Sequence, residues 1–295
     1  MNAIPARQST NGRARVAVPS KGRLRDEVLK LLTTAGYPTS GLRGSGSMAL
    51  AGKGLELIEM RPRDAAAALC AGALDGAFIA TDIAMEHRVT EFASQPLGFA
   101  RSTLVVASKD DDGRADLADL SGCVVATHMP NLTEQFFEEK GVDVRVVAMG
   151  GSLEGVCAAG LADAIVDNSE TGTSLRQNRL KVLTEIKACE AEFVHQSGHP
   201  ALEDLELRLE AALAARQHRY VMLHLPRERI EDLILMFHGL ESPTVLPLAG
   251  RDDLAAVHFV AQNGQLWERL TDLRDIGATD IVATQPVALL DFLPE

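Results

Sequence analysis

At 295 residues the chain is too long for one average domain and suits two, or two lobes with a smaller appendage. Its 46% hydrophobic content supports a full core. A formal charge of -12 excludes the basic face that nucleic-acid binding requires, so any phosphate site must be local, built from a few cations and backbone N–H groups. No apolar run reaches the roughly 18 residues of a membrane span. Residues 1–15 carry Arg7, Arg13 and Arg15 without an apolar stretch, and read as a frayed tail and not a secretory signal.

In chain order, Val16-Ala17-Val18 is a short strand. Leu24, Val28, Leu31, Leu32 and Ala35 then share one helical face that stops at Gly36. Lys21, Gly22 and Arg23 fall at the strand-to-helix turn, where free N–H groups, the helix dipole and two cations favour an anion, although a solvated turn has the same composition. Residues 39–54, rich in Gly and Ser, read as a flexible loop. A strand over 55–60 leads through Arg61-Pro62-Arg63-Asp64 into a helix over 65–71, placing two arginines at a second such junction, free either to hold phosphate or to be solvated. Residues 74–79 form a strand running into Ala80-Thr81-Asp82.

Residues 96–101 and the strand 103–107 read as a crossing into a second lobe. There 124–126 and 144–147 are strands and 134–140 a helix capped by Asn131 or Thr133. Gly150-Gly151-Ser152 opens another helix near Leu153. A weak repeat supports two similar lobes: Gly72-Ala73-Leu74-Asp75 before one buried strand matches Gly160-Leu161-Ala162-Asp163 before the next. That second strand, 164–166, ends at the polar loop 167–175. A parallel sheet binds ligands at such carboxyl ends, and Thr171, Gly172, Thr173 and Ser174 offer hydroxyls and N–H groups to a phosphate, with Asp167 and Glu170 facing hydroxyls or a metal. An ordinary capped turn is the alternative.

Residues 181–186 form a further strand, and 193–195 return to the first lobe. His195 and His199 are denied a shared helix by Gly198 and Pro200, so no zinc site is expected. The widely spaced Cys70, Cys123, Cys157 and Cys189 read as reduced thiols in a cytoplasmic protein. Leu202, Leu205, Leu209 and Leu213 form an amphipathic helix. Beyond it, strands at 220–223, 244–248, 255–260 and 280–283 alternate with helices at 227–237 and 266–276 in the βαββαβ order of a ferredoxin-like unit.

From about Arg15 to the C-terminus the chain resembles the long form of ATP phosphoribosyltransferase, the family that opens histidine biosynthesis. The resemblance rests on Val16 through Leu24, Arg61-Pro62-Arg63-Asp64, Gly72-Ala73-Leu74-Asp75 with Asp82, Ala126 through Thr133, Ala162 through Asp167 with Glu170-Thr171-Gly172, and Gly239 through Thr244. It implies an α/β, two-lobed, periplasmic-binding-protein-like catalytic core (14–102 with 190–216, and 103–189) followed by a ferredoxin-like regulatory domain (218–295).

The resemblance further implies that Mg²⁺-bound phosphoribosyl pyrophosphate meets ATP in the cleft, where adenine N1 displaces pyrophosphate. Lys21 and Arg23 would stabilise the leaving group. Asp167 and Glu170 would serve the ribose hydroxyls or the metal, Thr171 to Ser174 the 5'-phosphate, and Gly22, Arg61 and Asp82 the substrates. Histidine would inhibit through a site near Ser242 and Thr244, in a homo-oligomer with no membrane or nucleic-acid partner. Ala77, Ala80 and Ala100 stand where the family tends to have Gly, and Ala65-Ala66 replaces an Ile-Pro-like pair. These departures leave two other expectations open, a phosphoribosyltransferase with another acceptor and a non-catalytic binding or regulatory subunit.

Overall fold

The computed structural model describes residues 12–43, 47–52, 54–89, 91–237 and 243–290; the tail up to residue 11 and Ser242 lie outside them. By its contacts the chain divides into two units, residues up to 33 with 37–206, and 34–36 with the residues from 207 onward.

The first unit opens with β1 (Ala14–Pro19), α1 (Gly22–Thr34), β2 (Met48–Leu50), β3 (Leu55–Met60), α2 (Pro62–Cys70), β4 (Gly76–Ala80), α3 (Thr81–Glu86) and β5 (Ala93–Pro96). It continues with β6 (Ser102–Lys109), β7 (Val124–Thr127), α4 (Pro130–Lys140), β8 (Arg145–Ala148), α5 (Leu153–Ala158) and β9 (Ala164–Ser169). After α6 (Thr173–Gln177) come β10 (Leu180–Cys189), β11 (Ala191–His195) and α7 (Pro200–Gln217), within which the contact boundary falls.

Two sheets result, ordered β2-β3-β1-β4-β11-β5 and β10-β6-β9-β7-β8. Each has a parallel centre of short apolar strands, buried on both faces as that pairing requires. The chain passes from one sheet to the other after β5 and returns after β10, giving the two lobes of a periplasmic-binding-protein-like core.

The internal repeat has a physical basis. Gly72 and Gly160 both take left-handed φ, +65° and +74°, ending their helices without a Cβ clash. Asp75 then clamps the start of β1, accepting the Arg15 amide at 2.7 Å and donating its own amide to Arg15 O. Asp163 does the same to Val124 at the start of β7. In each lobe one Gly-x-x-Asp turn sets the register of the two central strands.

Several expectations need correction. The stretch 39–54 is not all loop: β2 pairs antiparallel with β3, its alternate side chains exposed at the sheet edge, so composition there hid a strand. The helix expected over 65–71 already begins at Pro62, because proline suits the first helical turn. Likewise α4 begins at Pro130, and Asn131 and Thr133 lie inside it instead of capping it. Asp167, Asn168 and Ser169 are the end of β9, paired with Val105, Leu104 and Thr103, and the loop proper is only residues 170–172 before α6.

The second unit contains β12 (His218–Pro226), α8 (Ile230–Met236), β13 (Thr244–Leu248), β14 (Arg251–Gln262), α9 (Asn263–Glu268), α10 (Leu270–Asp275) and β15 (Thr279–Thr284). Its antiparallel order, β13-β14-β12-β15, is ferredoxin-like. Val221, Leu223, Phe237, Val257, Phe259 and Leu273 build its core. The helix expected over 266–276 is two short ones broken at Arg269 (φ −100°, ψ 4°).

Candidate active site

The carboxyl ends of the central strands of both lobes converge on one cleft, as open α/β sheets arrange their ligand sites. From the first lobe come the turn after β1 with Lys21, Gly22 and Arg23, the junction after β3 with Arg61 and Arg63, and α3 with Asp82. From the second come His128 after β7, the turn before α5, and the end of β9 with its loop.

Side chains bridge the two lobes across the cleft. Arg23 Nη1 donates to Glu170 Oε2 at 2.8 Å, Arg63 donates to the His128 carbonyl, and Asn168 Nδ2 donates to Asp82 Oδ2 at 2.7 Å. Lys21 and Arg61 are exposed and make no ion pair among the described residues. Beside Glu170 a cavity of about 460 Å³, bounded also by Arg101, Ser102, Thr103 and Cys189, falls in the size range of small-molecule sites.

The loop is built tightly around Gly172. At φ +68° it takes a left-handed conformation, and a Cβ there would meet Arg176 Nη1 at 2.9 Å. The Gly172 amide donates to Ser169 Oγ at 3.1 Å, Thr171 and Thr173 share a hydroxyl contact at 2.9 Å, and Arg176 Nη2 reaches Thr173 Oγ1 at 3.1 Å. Hydroxyls, amides and a guanidinium therefore face one small volume, the composition of an anion cradle.

Ser174 departs from the rest, because its hydroxyl donates to Glu154, a carboxylate from α5 that also accepts from Ser152 Oγ at 3.2 Å. The hydrogen bond from Ser174 holds the Glu154 carboxyl below its ordinary value. Burial pushes Asp167 up, opposed by the Asn168 amide and by nearby His128. Burial also raises Asp82, opposed by the Asn168 side chain and by Arg63. His128 Nδ1 lies 2.6 Å from the Met149 carbonyl, which fixes Nδ1 as the protonated nitrogen in the neutral ring. Sequence reasoning missed Glu154, Asn168 and Arg176 as site residues; Gly150-Gly151-Ser152, just before Glu154, reads there only as a helix start.

Of the departures from the family pattern, Ala77 is fully buried and belongs to the first lobe's core cluster with Ala17, Ala65 and Leu69. Ala80 has ordinary extended backbone (φ −105°, ψ 157°) that has no need of glycine.

Comparison with known proteins identifies the family. The family model described as ATP phosphoribosyltransferase matches residues 61–215, and that of the family's C-terminal domain matches 215–285. The ATP phosphoribosyltransferase of Gemmatimonas aurantiaca is 32% identical over 287 residues, spanning 92% of this chain and 97% of that protein. The solved ATP phosphoribosyl transferase (HisG:HisZ) complex from Thermotoga maritima contains a chain 30% identical, with a TM-score of 0.55, matching 67% of this chain and 98% of that one. The chain thus belongs to the ATP phosphoribosyltransferase family in its long form, the enzymes of the first step of histidine biosynthesis.

Proposed function

We propose that the cleft binds phosphoribosyl pyrophosphate on the second lobe and ATP against the first, and joins the anomeric carbon to adenine N1. As that bond forms, the bond from the anomeric carbon to pyrophosphate oxygen breaks and the electron pair leaves with pyrophosphate. Lys21 and Arg23 stabilise the charge gathering on the leaving group. Gly172, Thr171, Thr173 and Arg176 hold the 5'-phosphate. Asp167 and Glu154 hold the ribose hydroxyls, and their charge favours the cationic character developing at the anomeric carbon. Ser174 acts by orienting Glu154. Arg61 and Asp82 serve the acceptor, and bringing two charged substrates together supplies much of the rate.

The observation that carries this reading is the Arg23–Glu170 contact, which sets the cationic turn of one lobe against the sugar-phosphate loop of the other. The core packing of Ala77 and the ordinary backbone at Ala80 support retained ATP use over another acceptor. Lys21→Ala and Arg23→Ala each lower phosphoribosyl-ATP formation by about 10² or more; wild-type rates in both variants overturn the assignment.

Mg²⁺ carried by the donor would supply positive charge against its pyrophosphate. Among the described residues no three His, Cys, Asp or Glu converge on a metal position. That suits an ion which keeps water and phosphate ligands and takes only one or two protein carboxylates. Asp167 would be the carboxylate that holds it, since Glu170 meets Arg23.

Histidine inhibition through the C-terminal unit, a homo-oligomeric assembly and a cytoplasmic location complete the proposal. Among the described residues no helix is long and apolar enough to cross a membrane, and all four cysteines are free thiols. Thr244 opens exposed β13. Calorimetric titration with histidine tests the first point: binding weakened by Thr244→Trp supports a site there, and unaltered binding removes it. Light scattering tests the assembly.

A further inference from the structure

The first turn of α4 has no capping side chain of its own: Met129 occupies the N-cap position without a side-chain hydrogen bond. The Met129 amide donates to Thr127 Oγ1 of its own lobe at 3.0 Å, but the next donors, Asn131 and Leu132, are satisfied from the other lobe. Glu86, buried at the end of α3, accepts the Asn131 amide at 3.3 Å, Asn131 Nδ2 at 3.1 Å and the Leu132 amide at 2.9 Å. Its backbone carbonyl takes a further hydrogen bond from Asn131 Nδ2 at 3.3 Å. Glu86 makes no ion pair among the described residues, so the helix N-terminus supplies its countercharge.

Glu86 lies one helical turn beyond Asp82, on the same face of α3. Asp82 meets Asn168 from that face, and Met85 packs against the second lobe's core. On the other side, the α4 entry follows β7 and Asn168 ends β9, two strands paired in parallel. One short helix therefore grips two adjacent strand ends of the opposite lobe.

We propose that Glu86 is a positioning residue for the transfer reaction: it pins the lobes together at α3, so that Asp82 and Arg63 stand in fixed register with His128 and Asp167 before substrate arrives. Pulling α4 away would expose three donors and a buried carboxylate together, whereas the exposed Arg23–Glu170 contact opens at little cost. The cleft is thus fixed at its α3 side and opens at its α1 side. This rests on the reading of the cleft given above.

Glu86→Gln keeps the length of the side chain but removes its charge and turns an NH2 toward at least one of the three donors. In this variant the Asn131 and Leu132 amides exchange hydrogen at least about 10-fold faster than in the wild type. Turnover falls at least about 10-fold and the KM for ATP rises. The Kd for phosphoribosyl pyrophosphate with Mg²⁺ stays within about 3-fold, because its loop belongs to the second lobe alone. If Glu86→Gln does not fold, Asn131→Asp, which sets a second carboxylate against Glu86, makes the same comparison. Unchanged exchange and turnover, or a loss shared equally by turnover and donor affinity, overturns the proposal. Wild-type protein that binds the donor without forming phosphoribosyl-ATP would instead overturn the reading of the cleft, and the exchange result would still decide the role of Glu86.

Discussion

Asn168 reaches across the cleft to Asp82 at 2.7 Å, so the residue next to Asp167 at the end of β9 orients the other lobe's buried acid. Burial raises both Asp82 and Asp167 above the ordinary 3.8. Between that value and the folded one, the folded protein binds more protons than the unfolded chain, and stability falls as pH rises through the folded value. Ionised Asp82 therefore costs stability at neutral pH. Asp82→Asn raises the Tm and lowers kcat/KM by about 10². In the wild type, activity is lost on the acid side at a pH above the ordinary aspartate range, and a titration of kcat/KM against pH shows that limb displaced in the variant.

The Arg23–Glu170 pair leaves 69% of one side chain and 56% of the other exposed. Such a pair contributes at most about 1 kcal/mol to stability. Its removal separates function from folding: Arg23→Ala leaves the Tm within about 2 °C of wild type while turnover drops by about 10². Differential scanning calorimetry and a steady-state assay on the same preparation check both halves.

The Ser174 hydroxyl donates to Glu154 and holds its carboxyl below the ordinary value, so the group stays ionised. Glu154→Gln therefore weakens donor binding by about 10-fold, the loss of one charge-assisted hydrogen bond. Ser174→Ala weakens it less, since Ser174 acts only through Glu154. Equal effects of the two would assign Ser174 to the phosphate directly. Calorimetric Kd values for the donor separate these outcomes.

Much of the fold is legible because local chemistry and topology agree. The Gly-x-x-Asp turns announce both lobes, since each glycine needs its left-handed φ and each aspartate needs a neighbouring strand to clamp. The βαββαβ order of the second unit follows from period and turn residues. What sequence hides is partnership at long range. Nothing near Asn131 reveals that its helix is capped from Glu86, 45 residues upstream, or that Ser174 answers to Glu154, 20 residues before it. Residues 167–169 carry loop-like polar side chains, yet β6 offers them ladder partners, and backbone pairing overrides composition.

Ala100 sits at φ +53° in the crossing between the lobes, where an L side chain crowds its own carbonyl. Replacing it with glycine relieves that strain and adds back some unfolded-chain entropy. The net gain for Ala100→Gly is about 0.5 kcal/mol, a rise in Tm of roughly 1–2 °C. A thermal melt that shows destabilisation contradicts this account.

The place of β11 bears on how the protein is made. The second lobe is one uninterrupted piece of chain, whereas the first keeps a slot between β4 and β5 that only residues 191–195 fill. As the chain leaves the ribosome, the second lobe can close while the first still has a bare strand edge at its middle. That edge is covered only after the inserted lobe has been synthesised, so the older half of the molecule is the later to be finished.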